Sequence, residues 1–222
     1  MVDTTKESTC YPVNSNDEIV LVDGVGNNTV VAHLPNEWIP VDPPTKRMKV
    51  VLPDNISRIS TGFMAYADTA TVSSPIQVVA NTPKKLTCDG LGSQTLKTYK
   101  TPYITELWNT STNQFNLSDF QIGDMVDLRI GIEITTTAIN QEIEIYMKLG
   151  VGDPNTYNLT VSAPFQYKST GSYTIYNYPM LYIGNTLTKD NPAEIWIVSD
   201  HNATVKVFGW YIKYDLQQRA AT

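Results

Sequence analysis

Two adjoining segments, residues 124–137 and 141–149, alternate strictly between apolar and polar side chains, and no other feature of the sequence constrains the fold as much. Their apolar positions are Val126, Leu128, Ile130, Ile132, Ile134, Ile143, Ile145, Met147 and Leu149. A period of two puts successive side chains on opposite faces of a strand, so each segment is predicted to be a strand with one buried face. The short link between them predicts an antiparallel hairpin.

Strand signals recur at intervals of roughly ten residues after residue 46, the spacing typical of a sandwich or barrel. The further candidates are 47–52, 58–66, 75–80, 84–88, 103–109, 157–165, 172–183, 193–199 and 203–215. Only 117–124 could form a helical turn, because no long segment has a period of 3.6. The sequence therefore predicts an all-β antiparallel sandwich and argues against an α/β enzyme fold.

The first 46 residues have a different character. Two apolar runs, 18–22 and 29–34, flank the sequence DGVGNN and predict a small β-hairpin. Four prolines at positions 35, 40, 43 and 44 then favour a stiff, extended path. We predict two parts, an N-terminal arm (1–46) and a sandwich domain (47–222).

Charge and apolar content exclude several classes of protein. The formal net charge is −6 over 222 residues and the basic residues are scattered, which argues against a nucleic-acid partner. No segment approaches the length of a membrane span or a secretory signal, so we expect synthesis in a cytoplasm and no membrane partner. Cys10 and Cys88 are interpreted as two free thiols, with a disulfide left as the alternative.

Three carboxylates, Glu133, Glu142 and Glu144, share the predicted hairpin, and two acids at such spacing would suit a glycosidase. With Arg129 and Lys148 interleaved, they are interpreted instead as a solvated polar face. Adjacent Ser199, Asp200 and His201 cannot form a triad, whose members must converge from separate segments, and they predict a turn. We expect no enzyme activity, catalytic residue, cofactor or metal; oxygen-rich loops at 22–28 and 150–158 keep calcium as a weaker alternative.

Apolar residues occur on both faces of the last predicted strand. Strict alternation puts Val205, Val207, Gly209 and Tyr211 on one side, and Phe208, Trp210, Ile212 and Tyr214 on the other. A two-layer sandwich buries only one face of each strand, so the second apolar face predicts contact with another subunit. The expected subunit interface comprises Phe208, Trp210, Tyr211, Tyr176 and Tyr178.

The segment from Gly123 to Arg129, GDMVDLR, is similar to a "GD-x-V-x-[LV]-R" strand, and paired aromatic strands and VKVFGWYIKYDL follow it. Residues 47–216 thereby resemble the trimeric tumour necrosis factor-like jelly rolls of tailed-phage structural proteins. The resemblance implies a jelly-roll fold and a homotrimer whose last strand lies near the threefold axis. It also implies a virion protein: a head decoration (cement) protein, a head fibre or the tip of a tail fibre.

The arm favours cement among these. No heptad or collagen-like repeat precedes residue 47, so we expect a decoration protein on the capsid exterior that staples neighbouring major capsid subunits. The residues expected to dock the arm are Tyr11, Ile19, Leu21, Val30 and Trp38. The alternative is a receptor- or glycan-binding fibre head, with a host-surface glycan stacked on Trp108, Trp196 or a tyrosine.

Overall fold

The computed structural model describes residues 18–22, 28–33 and 60–217. The chain divides into two compact units, one comprising Met1–Ser57 with Ala220–Thr222 and the other Arg58–Arg219. The predicted boundary near residue 46 and the predicted strand at 47–52 lie outside the described residues. The division into an arm (1–46) and a sandwich (47–222) therefore stays a prediction.

In the first unit, β1 (Glu18–Val22) pairs antiparallel with β2 (Asn28–His33). Glu18 lies opposite His33, and the register shifts after Ile19. The predicted pairing of these two runs is thus confirmed. Three of the expected docking positions, Ile19, Leu21 and Val30, belong to these strands, whereas Tyr11 and Trp38 lie outside the described residues.

The second unit consists of strands and two short helices. Its elements are β3 (Ser60–Ala67), α1 (Ala70–Ser73), β4 (Ile76–Val78), β5 (Lys84–Lys85), β6 (Trp108–Asn109), β7 (Gln114–Phe115), β8 (Met125–Thr136), β9 (Gln141–Leu149), β10 (Tyr157–Tyr167), β11 (Gly171–Asn177), β12 (Met180–Tyr182), α2 (Thr186–Asp190), β13 (Glu194–Ser199) and β14 (Ala203–Leu216). The segment 117–124, which could have formed a helical turn, contains two separate hydrogen-bonded turns and no helix. In the described part of the chain, no helix is long and apolar enough to cross a membrane.

Ten of these strands form two antiparallel sheets, and eight of the ten pair in a nested pattern. The four-stranded sheet has the order β10-β9-β13-β5, and the six-stranded sheet has the order β11-β8-β14-β3, with β12 and β4 added beside β8 and β14. Strand β3 pairs with β14, β5 with β13, β8 with β11 and β9 with β10. In chain order, the first of these eight strands therefore pairs with the last, the second with the seventh, and so on inward. This nesting defines a jelly roll, and the predicted all-β antiparallel fold is confirmed.

The core lies between the two sheets and contains the apolar positions of the alternating segments. Ile130, Ile132 and Ile134 of β8 have no exposed surface, and Ile143 and Ile145 of β9 are almost completely buried. The predicted β8–β9 hairpin is nevertheless wrong, because the two strands belong to different sheets. Each strand buries its apolar face against the opposite sheet, so the link between them crosses the sandwich instead of forming a hairpin turn.

A β-bulge in β14 changes which side chains face the core. Val207 lies opposite Ile132 but Gly209 lies opposite Gly131, so Phe208 is the extra residue on this strand. After the bulge, Trp210, Ile212 and Tyr214 point inward on the same side as Val207, and all are buried. The predicted subunit contact through Trp210 is therefore wrong, because this side chain is fully covered within its own sandwich.

Gly209 allows this bulge. Its φ of +145° lies in a region that side-chain-bearing residues rarely adopt, and a Cβ atom built there would lie 2.2 Å from the carbonyl oxygen of Tyr66. Neighbouring groups complete the backbone hydrogen bonds around the bulge: Asp68 N donates to Phe208 O at 3.1 Å and Val207 N donates to Thr71 Oγ1 at 2.7 Å. The segment that follows β3, including α1, thus supplies the hydrogen-bond partners of the bulge.

We predict that Gly209→Ala destabilises the fold far more than Gly171→Ala. Both glycines have φ +145°, but nothing lies within 4 Å of a Cβ built on Gly171. Gly171→Ala should therefore cost only backbone strain, about 1–3 kcal/mol, while Gly209→Ala adds a clash worth at least about 2 kcal/mol. Urea unfolding of both variants measures the difference, and equal losses would contradict the structural role of the bulge.

Cys88 is a buried free thiol with 1% of its surface exposed. Burial, with the negative charges of Asp68 and Asp89, raises the pKa of this thiol to about 12. The thiolate is the reactive form, so the folded protein should protect Cys88 from thiol reagents. The expected partner in the alternative disulfide, Cys10, lies outside the described residues.

In a Cys10→Ser variant, we predict negligible reaction of Cys88 with a chromogenic disulfide reagent at pH 8. After unfolding in urea, one thiol per chain should react at the rate of an ordinary cysteine, because the burial that raises its pKa is lost. The absorbance of the released chromophore, read without urea and in denaturing urea, measures how much thiol reacts in each state. Rapid labelling of the folded variant would contradict the placement of Cys88 in the core.

Candidate functional site

The outer face of the six-stranded sheet carries a group of aromatic side chains around one arginine. We define this arginine–aromatic patch as Arg129, Tyr176, Tyr178, Phe208 and Tyr211. Strand β8 provides Arg129, strand β11 provides Tyr176, and β14 provides Phe208 and Tyr211, while Tyr178 follows β11. The four residues expected at a subunit interface, apart from the buried Trp210, thus lie together on one surface.

The guanidinium of Arg129 is the centre of the patch. Its Cζ atom lies 4.4 Å from the ring centroid of Tyr176, 5.1 Å from that of Tyr211 and 5.9 Å from that of Tyr178. Each distance is within the range over which the negative face of an aromatic ring attracts a cation. Arg129 therefore holds three tyrosines around a single positive charge.

Gly131 makes the close packing of the patch possible. It lies opposite Tyr176 on one side and opposite Gly209 on the other. A Cβ atom built on Gly131 would lie 3.0 Å from Tyr176 Cε1 and 3.4 Å from Phe208 Cβ, so a larger residue would push both rings outward. The absent side chain lets Tyr176 lie over the strand, with its ring centroid 6.3 Å from that of Phe208.

One polar atom in the patch is buried and has no hydrogen-bond partner. Within residues 60–217, Arg129 Nε has no hydrogen-bond acceptor and is shielded from solvent. A buried donor without an acceptor is costly, and buried polar groups in folded proteins normally have a partner.

The outer rings of the patch are exposed, and charged pairs lie at two of its ends. Tyr176 is 43% exposed and Tyr178 is 68% exposed. An ion pair lies at each end of the patch: Glu133–Lys206 at 2.8 Å and Asp127–Lys213 at 3.5 Å. An apolar, aromatic centre with a charged rim is the usual composition of a protein–protein interface.

Apolar exposure continues beyond the patch along the same sheet. Met180 and Tyr182 of β12 are 59% and 58% exposed, and β12 pairs with β8 next to the patch. Large contiguous apolar surfaces are rare on monomeric proteins and usually mark a binding site. The exposed tyrosines of 172–183 thus form one surface with the patch.

The carboxylates considered for catalysis do not converge. Glu133 lies on the outer face of the six-stranded sheet and binds Lys206, whereas Glu142 and Glu144 lie on the outer face of the four-stranded sheet. Arg129 and Lys148 are separated in the same way. The prediction that these charges lie on polar faces is confirmed, but the expectation that one face holds them all is wrong, because β8 and β9 belong to different sheets.

The remaining candidates have structural surroundings. Ser199 ends β13, Asp200 and His201 belong to the link from β13 to β14, and Ser199 Oγ accepts a hydrogen bond from Gln141 Nε2 at 2.8 Å. Trp108 is buried in the core, where its Nε1 donates to Cys88 O at 2.9 Å, so its ring is not available to a sugar. Among the residues that the structure describes, no group of three or more His, Cys, Asp or Glu side chains could hold a metal ion.

No protein-family model and no curated protein matches this chain. Its fold is similar to that of the PRD1 vertex protein P5, with 13% identity and a TM-score of 0.37, over 72% of this chain and 98% of that one. The VP2 subviral particle of infectious bursal disease virus gives 7% identity and a TM-score of 0.33, over 88% of this chain and 44% of VP2. The CBM22-1 xylan-binding domain of Paenibacillus barcinonensis Xyn10C has 12% identity and a TM-score of 0.35, over 74% of this chain and 97% of that domain.

These neighbours thus include vertex and particle-forming proteins of viruses and a xylan-binding domain. Because the identities and TM-scores are low, we base the function of this chain on its own residues.

We predict that Arg129→Met lowers the free energy of unfolding by about 1 kcal/mol, because the attraction between the cation and three rings is lost. Lys206→Met is the matched control on the same face; its ion pair is 38% exposed at the lysine, so its loss should cost less than about 0.5 kcal/mol. Urea unfolding at one protein concentration compares the two. If the Arg129→Met protein were as stable as the unsubstituted protein, the contacts between the Arg129 cation and the three rings would not stabilise the fold.

Proposed function

We propose that this protein is a virion structural protein: a capsid decoration (cement) protein that forms a homotrimer on the capsid exterior and staples neighbouring major capsid subunits. The observation that carries the proposal is the arginine–aromatic patch. The role requires no catalytic residue, cofactor, metal, nucleic acid or membrane. The protein would be made in the host cytoplasm and added to the capsid there.

The composition of the patch supports self-association. Arginine and tyrosine are enriched at the centres of protein interfaces, and the few residues that dominate binding energy are drawn largely from these types. In a closed ring of three copies, the patch of one copy would contact a different surface of the next. That neighbour would cover the exposed rings of Tyr176 and Tyr178.

The virion role is supported by the fold together with the sequence resemblance. Jelly rolls occur in viral capsid proteins, lectins and cupins, so the fold alone selects no function. The resemblance of residues 47–216 to trimeric phage jelly rolls favours the first of these classes. The arm residues Tyr11, Ile19, Leu21, Val30 and Trp38 are assigned to docking on the major capsid protein. Three arms on one trimer raise the effective concentration of each, so modest contacts per arm suffice.

We predict that the purified protein is a trimer and that Tyr176→Ser weakens its assembly at least tenfold, as expected for a central aromatic anchor. Tyr157→Ser is the matched control, since Tyr157 is 41% exposed on the other sheet and Tyr176 is 43% exposed. Light scattering behind size-exclusion chromatography, over a dilution series, gives the masses. A monomeric unsubstituted protein at micromolar concentration would overturn the trimer.

The capsid role is tested with capsids assembled without this protein. We expect the purified trimer to bind them at fixed stoichiometry and to raise their temperature of disruption, measured by light scattering and electron microscopy. Trp38→Ser in the arm should weaken capsid binding while leaving the trimer intact. Failure of the unsubstituted trimer to bind such capsids across a range of salt concentrations would overturn the decoration function.

A further inference from the structure

The outer face of the four-stranded sheet has a separate feature that the proposed function does not use. An open hollow of about 440 Å³ lies over the strands β9, β10 and β13. The residues that line it are Pro83, Tyr146, Lys148, Thr156, Tyr157, Asn158 and Trp196. Aromatic rings, an ammonium group, an amide and a hydroxyl therefore surround a space large enough for a small organic ligand.

Two of these aromatic residues are direct cross-strand neighbours. Trp196 of β13 lies opposite Tyr146 of β9, and Thr160 of β10 lies opposite Tyr146 on its other side. Directly opposite residues on one face of an antiparallel pair have Cβ atoms roughly 5 Å apart. Trp196 and Tyr146 thus form one aromatic platform along the hollow, and both side chains are half-buried.

The ring of Trp196 is fixed in position by a buried carboxylate. Its Nε1 donates to Glu194 Oε2 at 2.9 Å, and Glu194 is 5% exposed. The other carboxylate oxygen of Glu194 accepts from Lys85 Nζ at 3.0 Å and from Gln114 Nε2 at 2.9 Å. Burial alone would raise the pKa of Glu194, but these hydrogen bonds outweigh it and hold the pKa below its ordinary value. The platform is therefore preorganised, which reduces the entropy lost when a ligand binds.

Polar donors lie over the platform and beside it. Lys148 Nζ is 5.8 Å from the ring centroid of Trp196, and among residues 60–217 this ammonium forms no ion pair with a carboxylate. Asn158 lies opposite Lys148 on the neighbouring strand and is exposed. An ammonium and an amide beside an aromatic face can hydrogen-bond a ligand that also has an apolar surface.

We infer that this hollow is a saccharide-binding site, in which one pyranose ring stacks on Trp196 and Tyr146. The C–H groups on one face of a pyranose carry partial positive charge and fit the negative face of an aromatic ring. The hydroxyl groups around its rim, or the carboxylate of an acidic sugar, accept hydrogen bonds from Lys148 and Asn158. A purely apolar ligand would leave these polar groups without partners, at a cost in free energy.

This site goes beyond the proposed function and does not depend on it. The hollow lies on the four-stranded sheet, whereas the arginine–aromatic patch lies on the six-stranded sheet. In a trimer, the hollow stays open to a ligand provided that the surface receiving the neighbour's patch lies elsewhere on the sandwich. A trimer would present three such sites, so weak binding by each would add up to firm attachment on a surface dense in glycan.

The test is a glycan microarray probed with the fluorescently labelled full-length protein. The array carries neutral oligosaccharides and oligosaccharides that contain uronic or sialic acid, so its two halves distinguish a hydroxyl from a carboxylate as the acceptor for Lys148. We expect binding to a defined group of glycans, and titration of a bound oligosaccharide should change the tryptophan fluorescence. Absence of binding across both halves, while control lectins bind, would overturn the proposal.

Three variants locate the site. Trp196→Ala should lower the affinity for the bound oligosaccharide at least about tenfold, as for the central anchor of a site. Lys148→Met keeps the apolar stem but removes the donor, so it should weaken binding most for acidic glycans if a carboxylate is the acceptor. Tyr99→Ala, which removes a 66% exposed tyrosine from the segment between β5 and β6, is the matched control and should leave affinity unchanged.

Circular dichroism and thermal unfolding check that each variant is folded. Unchanged affinity in a folded Trp196→Ala protein would overturn the assignment, even if the unsubstituted protein binds glycans elsewhere. Should Trp196→Ala fail to fold, Trp196→Phe retains a smaller ring and removes only the bond to Glu194. It should then still bind, more weakly, to the same glycans. A trimer that binds no glycan would leave the decoration function standing.

Discussion

The close approach of two backbones at Gly209 is the constraint on which the rest of the second unit depends. A side chain at this position would collide with the Tyr66 carbonyl of β3, so only glycine lets β14 carry its extra residue and stay paired on both sides. Before the bulge, Val207 faces the core, and after it Trp210 does. The bulge thus allows one central strand to supply small aliphatic residues to one half of the sandwich and large aromatic residues to the other.

The same bulge determines what the outer face presents. It places Phe208 outward beside Tyr176, and it brings Tyr211 opposite Arg129. Gly131, opposite Gly209, removes the side chain that would otherwise separate these rings. Two glycines on neighbouring strands therefore determine both the core and the candidate interface. Gly209 permits the bulge that shifts the register of β14, and Gly131 leaves space for the rings of Tyr176 and Phe208. A change in either one would alter the surface and the interior together.

The strand alternation predicted the all-β fold and the buried faces of β8 and β9, since a period of two is a local property of the sequence. Their pairing could not be read in this way, because a strand that leaves one sheet for the other has the same alternation as one that turns back within its sheet. Trp210 was misplaced because a bulge leaves no mark on composition; Gly209 between Phe208 and Trp210 was its only trace. The grouping of Phe208, Tyr211, Tyr176 and Tyr178 was recoverable, whereas Arg129 as their centre required cross-strand register.

The nested pairing has a consequence for how the protein is made. Strand β14 lies between β8 and β3 in the six-stranded sheet, and β13 lies between β9 and β5 in the other. The central strand of each sheet is thus synthesised after both of its neighbours. Until β14 has been synthesised, the edges of β3 and β8 that pair with it have no partner strand. Contacts this distant in sequence fold slowly, and open edges invite association with other chains. The nascent chain is therefore a natural client for chaperones that shield unpaired strands.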